Sequence, residues 1–522
     1  MDKIVFDWTR LNAQAQEEAL KPIRPGVPGE APFWNVHARQ FTYVPAFDFK
    51  PVEGATAYRF DCTVAATGKK FSCTLPRPYD PIVPLWKELP QASTVDLKVL
   101  ALDAQGTVIK EVGSRAFMRW AWFHGPYTPG KNAYADCCFK SLRHVFKESY
   151  VQELGRTGVP DVGKYRYFCY PSKMLSAIVS GLCVYAANAP DDREKALQIA
   201  RKAADWLIGA SLPAGTPFEY LPPTYLGENA TAKDRNHVLM MIYPIDVAKS
   251  YLYLYEAVHD AKYLKAAERI VATYRRLQTP AGSWPLLCDS RAGKPLGGNV
   301  IVPDTYLFLC DMLEKAGSDA AGDSKARALA WLQENPLKTF NWEGQFEDTS
   351  ASERYRNLSK GQACSVARYL LAHRKDAPSY LKQAEELLRY AEDQFVMWED
   401  CVVPPARMVE MFGKKETVGR RGGSLYPCAL EQYGWMMPIG ASASDLIGGW
   451  AKMYEATGDR LWLAKAMALG DSMTRSQHPD GFLPTYWYNG ASGGDDWLNC
   501  EIVSAVTMND LDAACDAEAV QK

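Results

Sequence analysis

The feature that most limits the folds open to this chain is a repeated helix pair. Asp260-Ala261-Lys262-Tyr263-Leu264-Lys265-Ala266-Ala267 lines up with Ala377-Pro378-Ser379-Tyr380-Leu381-Lys382-Gln383-Ala384 and with Asp459-Arg460-Leu461-Trp462-Leu463-Ala464-Lys465-Ala466. In each copy a helix ending in a short polar turn precedes the match, and an amphipathic helix of about four turns follows it. The second helices leave through similar corners: Gly282-Ser283-Trp284-Pro285, Phe395-Val396-Met397-Trp398 and Gly481-Phe482-Leu483-Pro484. Weaker copies begin at Asp191, leaving at Phe218-Glu219-Tyr220, and at Asp304, leaving at Asn341-Trp342-Glu343. With hairpins expected over 140–189 and after Leu498, the count is about six pairs, which predicts a mainly α chain closed into an (α/α)6 toroid.

Closure has a geometric consequence. In a ring of antiparallel pairs, every corner from an outer helix to the next inner helix falls at the same end. Tyr220, Trp284, Trp342, Trp398 and Phe482 are therefore expected around one mouth, and Glu219, Asp289, Glu343, Glu347, Asp348, Glu399, Asp400, Asp480, Asp495 and Asp496 travel with them. For any single Trp, burial as a core anchor competes with this reading.

Ahead of the helices the period changes. Ala57-Tyr58-Arg59-Phe60-Asp61-Cys62-Thr63-Val64, Lys70-Phe71-Ser72-Cys73-Thr74 and Val95-Asp96-Leu97-Lys98-Val99-Leu100-Ala101-Leu102 alternate apolar and polar residues between Gly and Pro punctuation. Roughly seven short strands are expected, a small β-sandwich that resembles immunoglobulin or fibronectin III modules. The expected organisation is an N-terminal arm at 1–30, the sandwich at 31–120 and the toroid at 121–522.

A net charge of -2 without a basic stripe argues against nucleic acid as a partner. The excess is aromatic: 15 Trp and 28 Tyr, side chains with an apolar body and a polar tip suited to half-wet clefts. Thirteen Cys, an odd number without CxxC pairs, fit a reducing compartment better than a disulfide framework. Met1 to Arg10 lack the basic and apolar regions of a secretory signal, so a cytoplasmic location is expected, or a periplasmic one if a signal peptide has been removed. No apolar run reaches the length of a membrane span, so no membrane partner is expected. A homo-oligomer is compatible with this composition. There is neither a His-x-x-x-His pair nor an acidic calcium loop, and no glycine-rich phosphate cradle follows a strand, so neither metal nor cofactor is expected.

The densest chemistry lies between Asn341 and Trp435. Paired carboxyls allow one group to stay protonated while its partner is ionised, as acid-base cleavage of a glycosidic bond requires. Glu343, Glu347 and Glu399 are the candidate catalytic carboxylates, with Asp348 as a sugar contact. Helix capping is the competing role for the first two. Arg420 and Arg421, followed by Gly422-Gly423, offer guanidinium forks to a carboxylate, with a solvated loop as the alternative. Trp284, Trp342, Trp398 and Trp435 are candidates to stack on a sugar ring, and Tyr433 is a candidate proton donor of the kind a lyase uses. His237, in Asp234-Arg235-Asn236-His237, completes the set, with packing as its competing role. Asp304 reads as a helix cap.

The segments NWEGQFEDT, FVMWED and EQYGWMMPIGASA, together with the β-module ahead of the helices, resemble β-glucuronidases of the gut-bacterial type, glycoside hydrolase family 154. More distantly, the chain is similar to the unsaturated glucuronyl hydrolases of families 88 and 105. The resemblance spans about residues 140 to 515. It implies an exo-acting hydrolase that releases terminal β-linked glucuronic acid, or a related uronate, from an oligosaccharide or glucuronide. Polysaccharide lyases and unsaturated glucuronyl hydrolases share the toroid and form the enzymatic alternative, and a non-catalytic glycan-binding protein is the other. N-acylglucosamine epimerases use a His pair for which this sequence offers no obvious counterpart.

Overall fold

The structure is a computed structural model. It describes residues 4–24, 33–229, 231–346, 353–401, 425–433, 435–487 and 496–520. The chain opens with α1 (Trp8–Ala19), whose first turn is capped by Asp7 accepting from the Arg10 amide at 3.1 Å. The alternating segments then form a sheet of β1 (Gln40–Phe41), β2 (Ala57–Val64), β3 (Lys70–Leu75), β4 (Ser93–Leu102) and β5 (Val108–Arg119), ordered β1-β5-β4-β2-β3. All pairings are antiparallel except β1 with β5.

The expected sandwich is thereby corrected: among the described residues this module has one five-stranded sheet, not two facing sheets. β2 does alternate strictly, with Tyr58, Phe60, Cys62 and Val64 on the buried face. That face is covered by α2 (Val83–Glu88), through Leu85 and Trp86, and by Val44 and Phe47 of the loop after β1. A short helix and an apolar loop thus do the burying that a second sheet would do.

From Tyr134 the chain is helical. The succession is α3 (Tyr134–Lys147), α4 (Ser149–Thr157), α5 (Pro171–Asn188), α6 (Arg193–Ala210), α7 (Tyr243–Val258), α8 (Ala261–Leu277), α9 (Asp304–Lys315), α10 (Ser324–Glu334), α11 (Pro336–Thr339), α12 (Gly361–Ala372), α13 (Tyr380–Phe395), α14 (Gly440–Thr457), α15 (Arg460–Ser476) and α16 (Leu498–Val520). Six of them, α5, α7, α9, α12, α14 and α16, touch in that order, and α16 returns to α5. Each is backed by one outer helix, α6, α8, α10, α13, α15 and α3 respectively.

Two of the corners share one arrangement. At the end of α8, Gln278 donates its amide to the Gly282 and Ser324 carbonyls, at 2.8 and 3.0 Å. At the end of α15, Gln477 donates likewise to Gly481 and Cys137, at 3.0 and 2.9 Å. Gly282 and Gly481 have φ of 102° and 103°, and a Cβ on either would approach a backbone carbonyl of the next outer helix, Arg327 or Lys140, to 2.4 Å. Only glycine satisfies both demands.

The β-module is fastened to α13 and α15 by buried polar groups. Asp393 Oδ1 accepts from the Thr42 and Tyr43 amides, both at 2.7 Å, and the Gln40 and Gln394 side chains each donate to the other's backbone carbonyl at 3.0 Å. Beside them Lys465 Nζ lies 2.8 Å from Glu392 and 2.9 Å from Glu18, with Lys465 and Glu392 almost wholly enclosed.

Two outcomes follow. Gly282→Ala and Gly481→Ala each lower stability by more than about 2 kcal/mol, measured by denaturant unfolding. Lys465→Met, which leaves two carboxylates uncompensated in the interior, costs about 3 to 5 kcal/mol in the same assay.

Candidate active site

The six corners preceding the inner helices are joined by hydrogen bonds into one rim. Leu226 N reaches Cys169 O at 2.9 Å and Thr224 Oγ1 reaches Val238 O at 2.9 Å, linking the approaches to α5 and α7. A three-stranded sheet of β6 (Val238–Met240), β7 (Pro285–Asp289) and β8 (Lys294–Val300) joins the approaches to α7 and α9. Gln345 accepts from Val302 N at 2.9 Å and donates to Val300 O at 2.7 Å, which ties α9 to α12. Tyr433 N donates to Leu358 O at 3.0 Å, between α12 and α14. Gly440 N donates to Thr485 O at 3.0 Å, between α14 and α16. Tyr165 OH donates to Asp496 O at 2.7 Å and closes the circuit from α16 to α5.

The rim tryptophans do not face the mouth. Trp284 and Trp342 are completely enclosed and Trp398 is 1 % exposed, so none presents a face to a sugar. Trp284 Nε1 donates to Tyr274 O at 2.7 Å, and Trp398 Nε1 to Glu392 at 3.1 Å while its ring lies against Phe123, Tyr127 and Trp450. These three sugar-stacking assignments are corrected: a corner in which one helix layer meets the next needs a large apolar plug, and Trp supplies it. Trp435, by contrast, is 40 % exposed.

The remaining expected residues are dispersed. Glu343 is half-buried next to α12, paired with Leu358 across an isolated bridge. Burial raises its pKa, Asn341 opposes the shift, and its Oε1 is buried without a hydrogen-bond partner. Glu399 instead lies 3.4 Å from His124 Nε2, beside the linker that leaves the β-module. Tyr433 donates its hydroxyl to Gln394 and packs on Phe395. His237 stands 3.9 Å from Asp289, whose carboxylate is held in its ionised form by the Ala292 and Arg291 amides. Glu347, Asp348, Arg420 and Arg421 lie outside the described residues.

Below the rim, the first turns of the inner helices carry charges that the sequence reading passed over. Asp246 and Lys249 on α7 are 4.0 Å apart and partly open to solvent, at 44 % and 25 %. Burial nevertheless raises the Asp246 pKa against the fields of Lys249 and Lys173 of α5. Asp304, the first residue of α9, is 6 % exposed. Burial pushes it up to about 6, helped by the charge of Asp246 and opposed by a hydrogen bond from Ser365 of α12, the Thr305 amide and Lys249. On α12 and α14, Lys360 Nζ lies 3.9 Å from Asp445 and donates to Glu431 O at 3.0 Å. Asp445 is likewise raised by burial, with Lys360 and Arg368 opposing. The helix-cap reading of Asp304 is corrected: the cap position of α9 is Pro303, and Asp304 is the first residue inside the helix. The legible signal was an isolated charge within the first two turns of an otherwise apolar helix, as in PSKMLSAIV, YPIDVAKSYL and GASASDLIGG.

A protonatable Asp304 with a second carboxyl nearby is the kind of pair that can pass a proton to a leaving oxygen. Among the described residues, no cluster of metal-binding side chains is present.

No protein-family model matches the chain, and no curated protein matches it. Among solved structures, the cellobiose 2-epimerase from Spirochaeta thermophila has a TM-score of 0.51 at 12 % identity, over 74 % of this chain and 98 % of that one. A family 76 glycoside hydrolase from a bovine Bacteroides thetaiotaomicron strain has a TM-score of 0.49 at 10 % identity, over 92 % and 98 %. The chain shares the fold of the epimerase; neither neighbour is a β-glucuronidase.

The raised pKa of Asp304 carries a stability consequence with a definite sign. A carboxyl whose folded pKa exceeds its unfolded value holds its proton more tightly when folded, so stability declines as pH rises from about 4 through about 6. Asp304→Asn removes that penalty and is expected to stabilise the fold at pH 8 by up to about 3 kcal/mol, a gain that vanishes below about pH 4. Urea unfolding at the two pH values measures it.

Proposed function

We propose that this protein is a carbohydrate-active enzyme built on an (α/α)6 toroid, and that it hydrolyses a glycosidic bond next to a uronic acid. The single observation supporting this is Asp304: an enclosed carboxyl with a pKa of about 6, beneath a closed rim, beside a second carboxylate that water reaches. The fold shared with a sugar epimerase agrees with a carbohydrate substrate. The finer reading is an exo-acting release of terminal β-linked glucuronic acid or a related uronate, in keeping with the resemblance to β-glucuronidases.

In this mechanism Asp304 donates its proton to the glycosidic oxygen as the bond to the anomeric carbon breaks. Asp246, whose ionisation burial opposes and Lys249 and Lys173 favour, acts in its carboxylate form and either takes a proton from the attacking water or itself attacks the anomeric carbon. The separation of the two carboxyls across bound substrate decides which. The helices from residue 121 onward would hold the chemistry and the β-module would brace them. Thirteen free cysteines support a cytoplasmic location.

The test uses p-nitrophenyl β-glucuronide. Asp304→Asn and Asp246→Asn each lower kcat by at least about 100-fold, with folding checked by circular dichroism. The wild-type kcat declines as pH rises above about 6, because the donor is then ionised. Wild-type rates in both variants would remove the proposed acid and base. An ultraviolet signal from an unsaturated uronate would redirect the reading to a lyase.

A further inference from the structure

His144 lies between two carboxylates from different elements. It sits in the last turn of α3, with Nδ1 3.0 Å from Glu501 in the first turn of α16 and Nε2 3.3 Å from Glu148, the residue that ends α3. The Glu501 side chain is 3 % exposed, and the oxygen that faces His144 also accepts from Ser141 Oγ at 3.0 Å. The Phe482 ring lies 5.3 Å from the imidazole, and His478 stands perpendicular to Phe482 at 5.2 Å. An outer helix, an inner helix and the corner between α15 and α16 therefore meet at one ring.

The geometry calls for a charged ring. A neutral imidazole has one N–H and one lone pair, so one of the two carboxylates would face a lone pair, whereas the imidazolium offers an N–H to each. The helix ends agree, since the last turn of α3 favours a cation and the first turn of α16 an anion. Burial opposes the charge on His144, but the Glu501 hydrogen bond and the fields of Glu501, Glu148 and Asp480 outweigh it and raise its pKa. Burial raises Glu501 against His144, Ser141 and the Leu483 amide, and raises Glu148 against His144, with Asp496 and Asp480 adding to the rise. Tyr150, beside Glu148, is kept neutral by burial.

His144 and Glu501 both bind their protons more tightly when folded, so both favour the fold less as pH rises. The histidine contribution is complete below its unfolded value of about 6.5 and is lost as pH passes its higher folded value. Above that point the carboxylates of Glu501, Glu148, Asp480 and Asp496 are left without the cation between them. The affected corner is one through which the rim is joined: Gly440 N donates to Thr485 O, Trp497 N donates to Thr485 Oγ1 at 2.9 Å, and Tyr165 OH donates to Asp496 O.

We propose that His144 is a pH-sensitive clasp: protonated, it ties α3 to the first turn of α16 and keeps the rim closed between α14 and α5; neutral, it releases that corner. The clasp does not depend on which reaction the site performs.

Two measurements test it. Carbon-13-labelled His144, assigned by the signal that His144→Gln removes, is titrated by NMR, and amide hydrogen exchange over residues 480–486 and 496–506 is followed from about pH 5 to pH 9 after correction for the intrinsic rate. The ring is expected to titrate above about 6.5. Wild-type protection in both segments falls at least about tenfold across that titration, while the corner from Gln278 to Gly282, whose side-chain hydrogen bonds involve no histidine, keeps its protection. In His144→Gln and Glu501→Gln the fall disappears, with melting temperatures confirming that both fold. Should either fail to fold, Glu148→Gln carries the test: it keeps the Glu501 bond and is expected to lower the pKa of the ring. A ring that titrates at or below about 6.5, a pKa unmoved in Glu148→Gln, a wild-type protection that stays constant or falls equally at the Gln278 corner, or the same fall in His144→Gln overturns the proposal.

Discussion

The constraint on which this structure depends is that the backbone of every corner must find hydrogen-bond partners where helices leave it none. A corner between two packed helix layers is crowded, and unpaired amides and carbonyls there would cost as much as lost hydrogen bonds. The solution is lateral: each corner bonds to the next through small sheets, Gln345, and turns such as Gly440 to Thr485, until Tyr165 closes the loop at Asp496. The first turns of six inner helices are thereby held near one another, and their partial positive charges gather beneath the rim. Carboxylates such as Asp246, Asp304 and Asp445 are well placed against that field, with burial setting the upper limit on how readily they ionise.

Much of this was legible in the sequence because it follows from spacing. Copies at Asp260, Ala377 and Asp459 announce the helix pairs, and the Gly-containing corners after two of them share the hydrogen bonds of Gln278 and Gln477 as well as their φ angles. That the corners meet is a matter of connectivity. Which way a corner side chain turns is not. Trp284, Trp342 and Trp398 look alike in sequence whether they line a cleft or plug a joint, and only packing decides for the joint.

The charged set beneath the rim was hidden for a related reason. Asp304 opens a helix, where a carboxylate ordinarily means a cap, and Lys173, Asp246 and Asp445 are single charges in apolar surroundings. Their significance comes from neighbours on other helices, such as Ser365 for Asp304 and Lys360 for Asp445, which no local pattern reveals. The β-module shows the same division. Alternation in β2 correctly separates its two faces, but it says nothing of what covers the inner one, and α2 with the loop through Val44 and Phe47 takes the place of a second sheet.

The joint between the β-module and α13 has a consequence for how such a chain can be cut and recombined. Asp393 finds its donors in the amides of residues 42 and 43, Gln394 in the backbone of Gln40, and Lys465 one of its carboxylates on α1. Severing the chain between module and helices would take from Asp393 both of its backbone donors and from Gln394 its partner in Gln40. The two units are therefore joined through buried polar groups, and moving the leading segment onto another helical barrel would require transplanting the receiving end of α13 with it.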